Sequence, residues 1–183
     1  MEIKKINKLI DSCSQVKLYY FEEEIYCQIL KESKTLILVR DIKDWHYDAY
    51  MIFPKKYIKK IKYGKIEKCR EKILPPLNKQ QFIKEINKID LFSIKNALQS
   101  LFECNQGVCI ESANNNYIFT LGIIKKIKDK YVSLKEIGLC GKYKTNLMKM
   151  SYKDITCIFY KDEYSANLID YVISKEKQTK SIY

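Results

Sequence analysis

A chain of 183 residues with 46% apolar side chains is long enough for one domain, or for two small ones with cores of limited size. Fifteen tyrosines and seven phenylalanines, beside only five glycines and three prolines, favour β-strands and argue against disordered or collagen-like segments. The formal net charge of +12 is compatible with a polyanionic partner, although the lysine-rich composition of an AT-rich genome would produce the same excess.

Residues 1–74 are predicted to form a short helix followed by five strands. Ile3, Ile6, Leu9 and Ile10 are spaced as the apolar stripe of a helix. Five β-rich runs follow, separated by charged or polar turns. These runs are VKLYYF, EIYCQIL, TLILVRDI, AYMIF and YIKKIKY.

Residues 75–90 are predicted to be a linker. Pro75 and Pro76 at its start interrupt regular structure. Phe82, Ile86 and Ile89 can then share one face of a short helix, which the linker is therefore expected to contain.

Residues 91–183 repeat the order of a helix followed by five strands. Ile94, Leu98, Leu101 and Phe102 form the helical stripe. The strand runs are GVCIES, YIFTLGIIKKI, KYVSLKEI, KYKTNLMKM and DITCIFY. The sequence SANNN at residues 112–116 favours a hairpin turn, and Gly122 is expected at a bend or bulge. A short closing helix or strand is expected in the C-terminal extension.

The two halves can be aligned with each other, which predicts an internal repeat. The separation of matched residues increases from 92 at the helix to 97 at the last strand. The matched pairs are Leu9 with Leu101, Ile10 with Phe102, Val16 with Val108, Tyr50 with Tyr143, Ile58 with Ile155, and Ile61 with Ile158. The predicted fold is mainly β with short helices, arranged as two tandem small barrels that each consist of a helix plus five strands.

The seven cysteines are an odd number, form no Cys-x-x-Cys pair and are accompanied by a single histidine, His46. Several lie in apolar runs, where cysteine behaves as a small hydrophobic residue. We therefore predict neither a disulfide nor a metal site, no cofactor, and a cytoplasmic location. The N-terminal segment lacks the apolar core of a signal peptide, and no apolar run reaches the length of a membrane span.

The pattern of strands and turns resembles that of Sm-like small barrels, including Sm-like domains of bacteria. The resemblance is carried by a long second strand, a short charged turn, and a third strand that ends in an acid followed by isoleucine (Asp41, Ile42). The motifs Asp-x-Tyr and Ile-x-x-Ile then follow this third strand. SH3-like barrels share much of this pattern. The resemblance implies the fold and a nucleic-acid-facing turn between the second and third strands.

Two departures from the Sm pattern concern the RNA site that the resemblance implies. The third strands, TLILVRDI and KYVSLKEI, lack the asparagine expected there. Residues 54–55 and 151–152 stand where Arg-Gly or Lys-Gly precedes the last strand. The resemblance therefore does not carry over a base-stacking pocket or ring assembly.

Residues 54–72 hold nine basic and two acidic side chains, interleaved with Tyr57 and Tyr63. Such a segment can follow a phosphate backbone while its tyrosines stack on bases. It can equally be a solvated edge strand protected by lysines, with its tyrosines in the core. The predicted nucleic-acid-binding residues are Lys55, Lys56, Lys59, Lys60, Lys62 and Lys65, with Lys125, Lys126 and Lys128 of the second half.

The segment DWHYDAY, residues 44–50, contains the only tryptophan and the only histidine. Trp45, His46 and Tyr47 are predicted partner-binding residues, the alternative being a hairpin with half of its rings buried. No nucleophile lies near His46 in the sequence, and no P-loop, Rossmann or metalloprotease motif is present. We therefore do not expect an enzyme.

The sequence predicts a non-enzymatic binding protein whose partner is RNA or single-stranded nucleic acid, bound through a basic face, and not a membrane. The alternative is a protein–protein interaction or assembly module, including self-association, that uses barrel edges and the aromatic hairpin. One continuous basic face joining the two groups of lysines favours the first hypothesis. Evenly scattered lysines, with an exposed apolar patch around Trp45, favour the second.

Overall fold

The computed structural model describes residues 3–21, 23–113 and 118–180, and the side chains of residues 6–21, 23–113 and 119–175. The elements of the first half are α1 (Ile3–Asp11), β1 (Gln15–Tyr20), β2 (Glu23–Glu32), β3 (Leu36–Lys43), β4 (His46–Pro54), the 3-10 turn η1 (Lys55–Tyr57), β5 (Ile58–Lys62) and α2 (Lys65–Ile73). The linker contains α3 (Lys79–Ile86). The elements of the second half are α4 (Ile94–Glu103), β6 (Gly107–Ser112), β7 (Ile118–Ile127), β8 (Tyr131–Gly138), β9 (Lys142–Ser151), the 3-10 turn η2 (Tyr152–Asp154), β10 (Ile155–Tyr160) and α5 (Glu163–Lys180).

The ten strands of the described residues form one antiparallel sheet in the order β5-β1-β2-β3-β4-β10-β6-β7-β8-β9. In each half the fifth strand pairs with the first, and the other strands follow in chain order. The halves meet where β4 pairs with β10, with Ile52 opposite Ile158 and Tyr50 opposite Tyr160. The prediction of a mainly β chain with short helices is confirmed.

The first and fourth helices end in the same way. Ser14 N–H donates to Leu9 O at 2.9 Å, and Gln106 N–H donates to Leu101 O at 2.9 Å. In both helices the residue before this donor has a positive φ. Such a left-handed residue is the usual way for a helix to stop and reverse its backbone. The predicted matching of Leu9 with Leu101 thus agrees with the local backbone structure.

Strand registers correspond as well, with one exception. Ile58 lies opposite Tyr20, and Ile155 lies opposite Ser112, as their predicted matching requires. The predicted matching of Tyr50 with Tyr143 is wrong. Tyr50 lies opposite Arg40, and its counterpart opposite Lys135 is Leu147. Both β4 and β9 contain an irregularity in their pairing with the preceding strand, and the one in β9 has one more residue. This extra residue shifts the correspondence between the two halves by one position across the irregularity.

Three apolar clusters hold the chain together. The first lies between α1 and the first five strands, where Leu18, Ile37 and Phe53 are fully buried. The second combines the interior beneath α4 with the linker helix, whose Phe82 and Ile86 pack against the opposite face of the first-half strands. As predicted, Phe82, Ile86 and Ile89 are buried together. The third cluster lies between α5 and strands of the second half, around Cys109, Leu121 and Ile169.

The basic segment after β5 differs from the predicted edge strand because residues 65–73 form helix α2. The Glu67 carboxylate accepts a hydrogen bond from Gly64 N–H at 2.7 Å, which satisfies a backbone donor at the start of this helix. Glu67 itself is buried. The C-terminal extension likewise forms a helix, the 18-residue α5.

Two glycines have distinct roles in the second half. A Cβ on Gly122 would lie 2.6 Å from Lys135 O, so β7 and β8 approach closely at this glycine. The bulge expected at Gly122 lies instead a few residues later, where the register shifts between Ile124 and Lys126. A Cβ on Gly107 would lie 2.1 Å from Ile169 Cδ1, directly under α5. The predicted hairpin turn at residues 112–116 falls largely on residues 114–117, outside the described residues.

Candidate nucleic-acid interface

The start of α4 connects equivalent turns of the two halves. The Thr35 hydroxyl, in the β2–β3 turn, donates to Phe92 O at 3.3 Å. Three residues later, the Lys95 ammonium lies 2.8 Å from Asp129 Oδ1 in the β7–β8 turn. Both turns therefore lie on the same side of the molecule, on either side of residues 90–95.

The first half brings Lys55 and Lys56 to this side through η1. Lys55 N–H donates to Thr35 O at 2.8 Å, which attaches η1 to the β2–β3 turn. The Lys55 ammonium forms an ion pair with Glu32. Lys56 is exposed, as is Lys34 at the tip of the turn, and the Lys56 ammonium lies 4.5 Å from the centroid of the Tyr57 ring.

The second half repeats this attachment through η2. Tyr152 OH donates to Lys128 O at 2.6 Å, and Tyr152 N–H donates to Lys130 O at 3.3 Å. Burial raises the pKa of Tyr152, so its hydroxyl remains a protonated donor near neutral pH. Lys128 and Lys130 of this turn are exposed, and so is Lys153 in η2. Lys125 and Lys126 are exposed in the last residues of β7, where Lys125 also lines a cavity with Phe102.

We call the surface formed by these segments the basic side. Its lysines are Lys34, Lys55, Lys56, Lys95, Lys125, Lys126, Lys128, Lys130 and Lys153. Its carboxylates are Glu32, Asp90, Asp129 and Asp154. Glu32 and Asp129 are in ion pairs with lysines of the same surface, and hydrogen bonds from Phe92 N–H and the Asn96 amide keep the pKa of Asp90 low. Seven lysines of the set remain outside these ion pairs, so the surface is strongly positive.

Phe92 lies in the middle of the basic side and is 79% exposed. Its backbone is held from both directions, since its carbonyl accepts from Thr35 and its N–H donates to Asp90 at 2.8 Å. Ser93 follows it as the N-cap of α4 and accepts from Asn96 N–H at 3.2 Å. An apolar residue before an N-cap usually packs back on its own helix, and Phe92 instead faces solvent.

Sequence reasoning missed Phe92 and Lys95, because neither belongs to a charge run or an aromatic cluster. A signal was present in the sequence Asp-Leu-Phe-Ser, in which an aromatic residue directly precedes a capping serine. The residue four positions after that cap is Ala97, whose side chain is too small to cover a phenylalanine ring.

The structure separates the predicted basic run into three parts. Only Lys55 and Lys56 belong to the basic side. Lys59, Lys60 and Lys62 are exposed along β5, which runs away from η1 over roughly 17 Å at about 3.3 Å per residue. Lys59 and Lys60, near the start of this strand, line a cavity together with Lys55. Lys65 is exposed at the start of α2, at the far end of β5. The nine basic residues of this run therefore do not form one face.

The two tyrosines proposed for base stacking have different environments. The Tyr57 ring packs against Phe21, with ring centroids 4.9 Å apart, and contributes to the first-half core. Tyr63 is 38% exposed, and its hydroxyl donates to Glu71 at 3.2 Å. Tyr57 is thus a packing residue, in line with the interpretation of this segment as an edge strand with its tyrosine in the core.

The aromatic hairpin between β3 and β4 serves mainly to hold α2. The Arg70 guanidinium carbon lies 4.4 Å from the Trp45 ring centroid and 3.8 Å from that of Tyr26. Tyr47 OH donates to Pro75 O at 3.2 Å and accepts from the Gln15 amide at 2.9 Å. Trp45 and Tyr47 therefore make intramolecular contacts with distant residues, while His46 is exposed and its Nδ1 lies 3.4 Å from Asp44 O. Trp45 keeps 48% of its surface exposed.

The cysteines are seven free thiols. Burial raises the pKa of Cys27 and of Cys157, so these two thiols are unreactive near neutral pH. Within the part of the chain that the structure describes, no group of three or more His, Cys, Asp or Glu side chains is arranged to hold a metal ion. In the same residues, none of the helices has the length and apolar character needed to cross a bilayer.

Comparison with protein-family models, with curated proteins and with solved structures finds no match.

Proposed function

We propose that the chain is a non-enzymatic protein that binds RNA or another single-stranded nucleic acid across the basic side. The observation that carries this proposal is the position of residues 92–95, at and just before the start of α4. Phe92 contacts Thr35 of the β2–β3 turn, and Lys95 contacts Asp129 of the β7–β8 turn. Lysines that are far apart in the sequence thereby become one surface with an exposed aromatic ring at its centre.

Two kinds of contact follow from this arrangement. Lysine ammonium groups on both sides of Phe92 attract the phosphates of a strand that crosses it, and each contact releases condensed counterions. The Phe92 ring offers a face on which one base can stack. A base in a duplex is already stacked and paired, so this surface favours a single strand.

The same surface is poorly equipped to read a sequence. Base-specific recognition relies on bidentate side chains such as arginine, asparagine and glutamine, and the cationic groups of the basic side are lysines, which act as point charges. The proposed binding is therefore tolerant of sequence, with affinity set by charge and by stacking.

The proposal includes the architecture of two tandem small barrels, each an Sm-like helix plus five strands, with residues 1–74 and 91–183 as repeats and residues 75–90 as linker. It is supported by the return of the fifth strand to the first in each half and by the register shifts at equivalent places. Such shifts increase the local bend and twist of a sheet.

The test is fluorescence anisotropy with a labelled oligouridine of twelve nucleotides at several salt concentrations. We expect the logarithm of affinity to fall by roughly 0.7 per logarithmic unit of salt for each lysine contact. The variant Lys34→Gln/Lys56→Gln/Lys128→Gln/Lys130→Gln should bind more weakly and flatten this slope by up to about 3 units.

A matched control removes four other exposed lysines, in Lys65→Gln/Lys68→Gln/Lys72→Gln/Lys142→Gln. These residues lie on α2 and at the start of β9, away from the basic side. The control has the same net charge as the test variant, so a nonspecific effect of charge would reduce binding equally in both. Equal losses, or no binding at low salt, would refute the proposal.

A further inference from the structure

Strands β5 and β10 occupy the same place in their halves but have different neighbours. β10 pairs with β6 on one side and with β4 on the other. β5 pairs with β1, and none of the described strands pairs with its other side. The pairing of β4 with β10, where the two halves meet, therefore shows how an additional strand would pair with the free edge of β5.

The missing neighbour leaves apolar surface uncovered on β5. Ile155 and Ile158 of β10 are 1% and 0% exposed, whereas their counterparts Ile58 and Ile61 are only half-buried. A cavity of about 120 Å³ opens at this place. It is lined by the isoleucines Ile6, Ile37, Ile58 and Ile61 and by the lysines Lys55, Lys59 and Lys60. Ile58 and Ile61 pack partly against the first-half core, so an added strand would cover only the part of their surface that remains exposed.

The charge of this edge indicates what can cover it. Lys59, Lys60 and Lys62 are exposed on β5, and β5 contains no carboxylate. The other outer edge of the sheet, β9, is itself lysine-rich, with Lys142, Lys144 and Lys149. Pairing β5 with β9 of a second copy would bring two positive strands together, which is unfavourable.

We propose that the free edge of β5 is a docking site for an extended acidic segment of a partner protein, which adds to the sheet as an antiparallel strand. The incoming strand occupies the position that β4 occupies on β10. Its apolar side chains cover Ile61 and fill the cavity, and alternate aspartates or glutamates face the lysines. Backbone hydrogen bonds between the two strands provide affinity, and the alternation of apolar and acidic side chains in the partner segment provides specificity.

This site adjoins the basic side at Lys55, which also lines the cavity. It uses lysines along β5, whereas the proposed nucleic-acid interface uses the two turns and Phe92. The two proposals can therefore fail independently, and the variants that test them do not overlap.

The probe is a fluorescein-labelled nonapeptide of alternating glutamate and valine. We expect it to bind and to slow hydrogen–deuterium exchange of residues 58–62. A peptide with lysine in place of glutamate tests the charge, and a glutamate peptide N-methylated at alternate residues tests the strand pairing. Neither should bind. The same exchange measurement on the free protein at increasing concentration reports on self-association.

The variant Lys59→Glu/Lys60→Glu/Lys62→Glu should lose affinity for the acidic peptide by on the order of tenfold or more and bind the lysine peptide instead. Lys65→Glu/Lys68→Glu/Lys72→Glu is the matched control and should keep the preference for the acidic peptide. The proposal is overturned by an absence of peptide binding, by equal binding of the N-methylated peptide, or by concentration-dependent protection of residues 58–62 without peptide. It is also overturned if the β5 variant loses oligouridine binding, because the edge would then belong to the nucleic-acid site.

Discussion

Ile58 and Ile155 hold the same register position in the two halves, opposite Tyr20 and Ser112, yet Ile155 is buried and Ile58 is half-buried. The difference arises because β4 covers the outer side of β10, while β5 lies at an edge of the sheet. The sequence matches the two isoleucines correctly, but it does not reveal that only one of them has a neighbour beyond its own half.

This asymmetry predicts unequal losses of stability. Ile158→Ala should lower the free energy of unfolding by about 2–5 kcal/mol, because it removes a fully buried side chain at the joint. Ile61→Ala should lower it clearly less, since water already reaches that side chain. Urea denaturation of the two variants measures the difference. Equal losses would show that β5 is covered in solution as β10 is.

The stacking role of Phe92 predicts a change in binding without a change in stability. Phe92→Ala should weaken binding of oligouridine by about 1–3 kcal/mol at all salt concentrations, the range for one stacked base. The free energy of unfolding of this variant should differ from that of the wild type by no more than about 0.5 kcal/mol, because the Phe92 ring is largely exposed. Tyr164→Ala removes another exposed ring, on α5, and serves as the control. A salt-dependent loss in Phe92→Ala would point to a disturbed lysine surface instead.

Two partly buried carboxyl groups predict how stability depends on pH. Burial raises the pKa of Glu111 to about 7 and that of Asp41 to about 6. These pKa values lie above those of the same groups in the unfolded chain, about 4.3 for Glu and 3.9 for Asp. At a pH between the unfolded and the folded pKa, the folded state therefore binds more protons than the unfolded state. These groups therefore make the protein more stable as the pH falls from 8 towards 5.

Glu111→Gln should be more stable than the wild type at pH 8, with the advantage shrinking towards pH 5. Chemical denaturation at several pH values measures this difference, and comparing variant with wild type cancels the contributions of other groups. The carboxyls with lowered pKa values, such as Glu85 and Asp90, act in the opposite direction and at lower pH. A difference between variant and wild type that stays constant with pH would contradict the prediction.

The contact of Arg70 with two rings predicts that it anchors α2. Arg70→Ala should expose Trp45, the only tryptophan, and shift its fluorescence to longer wavelength. The loss of two cation–π contacts should destabilise the chain by roughly 1–2 kcal/mol and speed amide exchange in α2. Lys72→Ala, on the same helix, is the control. An unchanged emission spectrum would mean that α2 is held without this contact.

Local patterns predicted most of the secondary structure. The apolar stripes of α1, α3 and α4 and the ten strand runs have short periods that remain visible in the sequence. The sequence does not predict helix α2, because KIEKCREKI has a weak apolar stripe and lies within a run of charged residues. The buried Glu67 side chain that caps this helix becomes apparent only in the folded structure. The mismatch of Tyr50 with Tyr143 came from a single extra residue in β9, which the side-chain pattern does not mark.

The candidate site could be predicted only in part. Lys55, Lys56, Lys125, Lys126 and Lys128 were named from the sequence and lie on the basic side. Their union depends on two contacts across large sequence separations, Thr35 with Phe92 and Lys95 with Asp129. Such tertiary contacts leave no local signal. The sequence groups Lys59, Lys60, Lys62 and Lys65 with these lysines, and in the structure they lie along β5 and at the start of α2.

Ultraviolet crosslinking of the protein to oligouridine, followed by mass spectrometry of the crosslinked peptides, tests the basic side most directly. The account predicts crosslinks at Phe92 and at peptides from both turns, residues 32–35 and 125–130, and their loss in the variant lacking Lys34, Lys56, Lys128 and Lys130. Crosslinks confined to β5 and α2, or to one half alone, would contradict it.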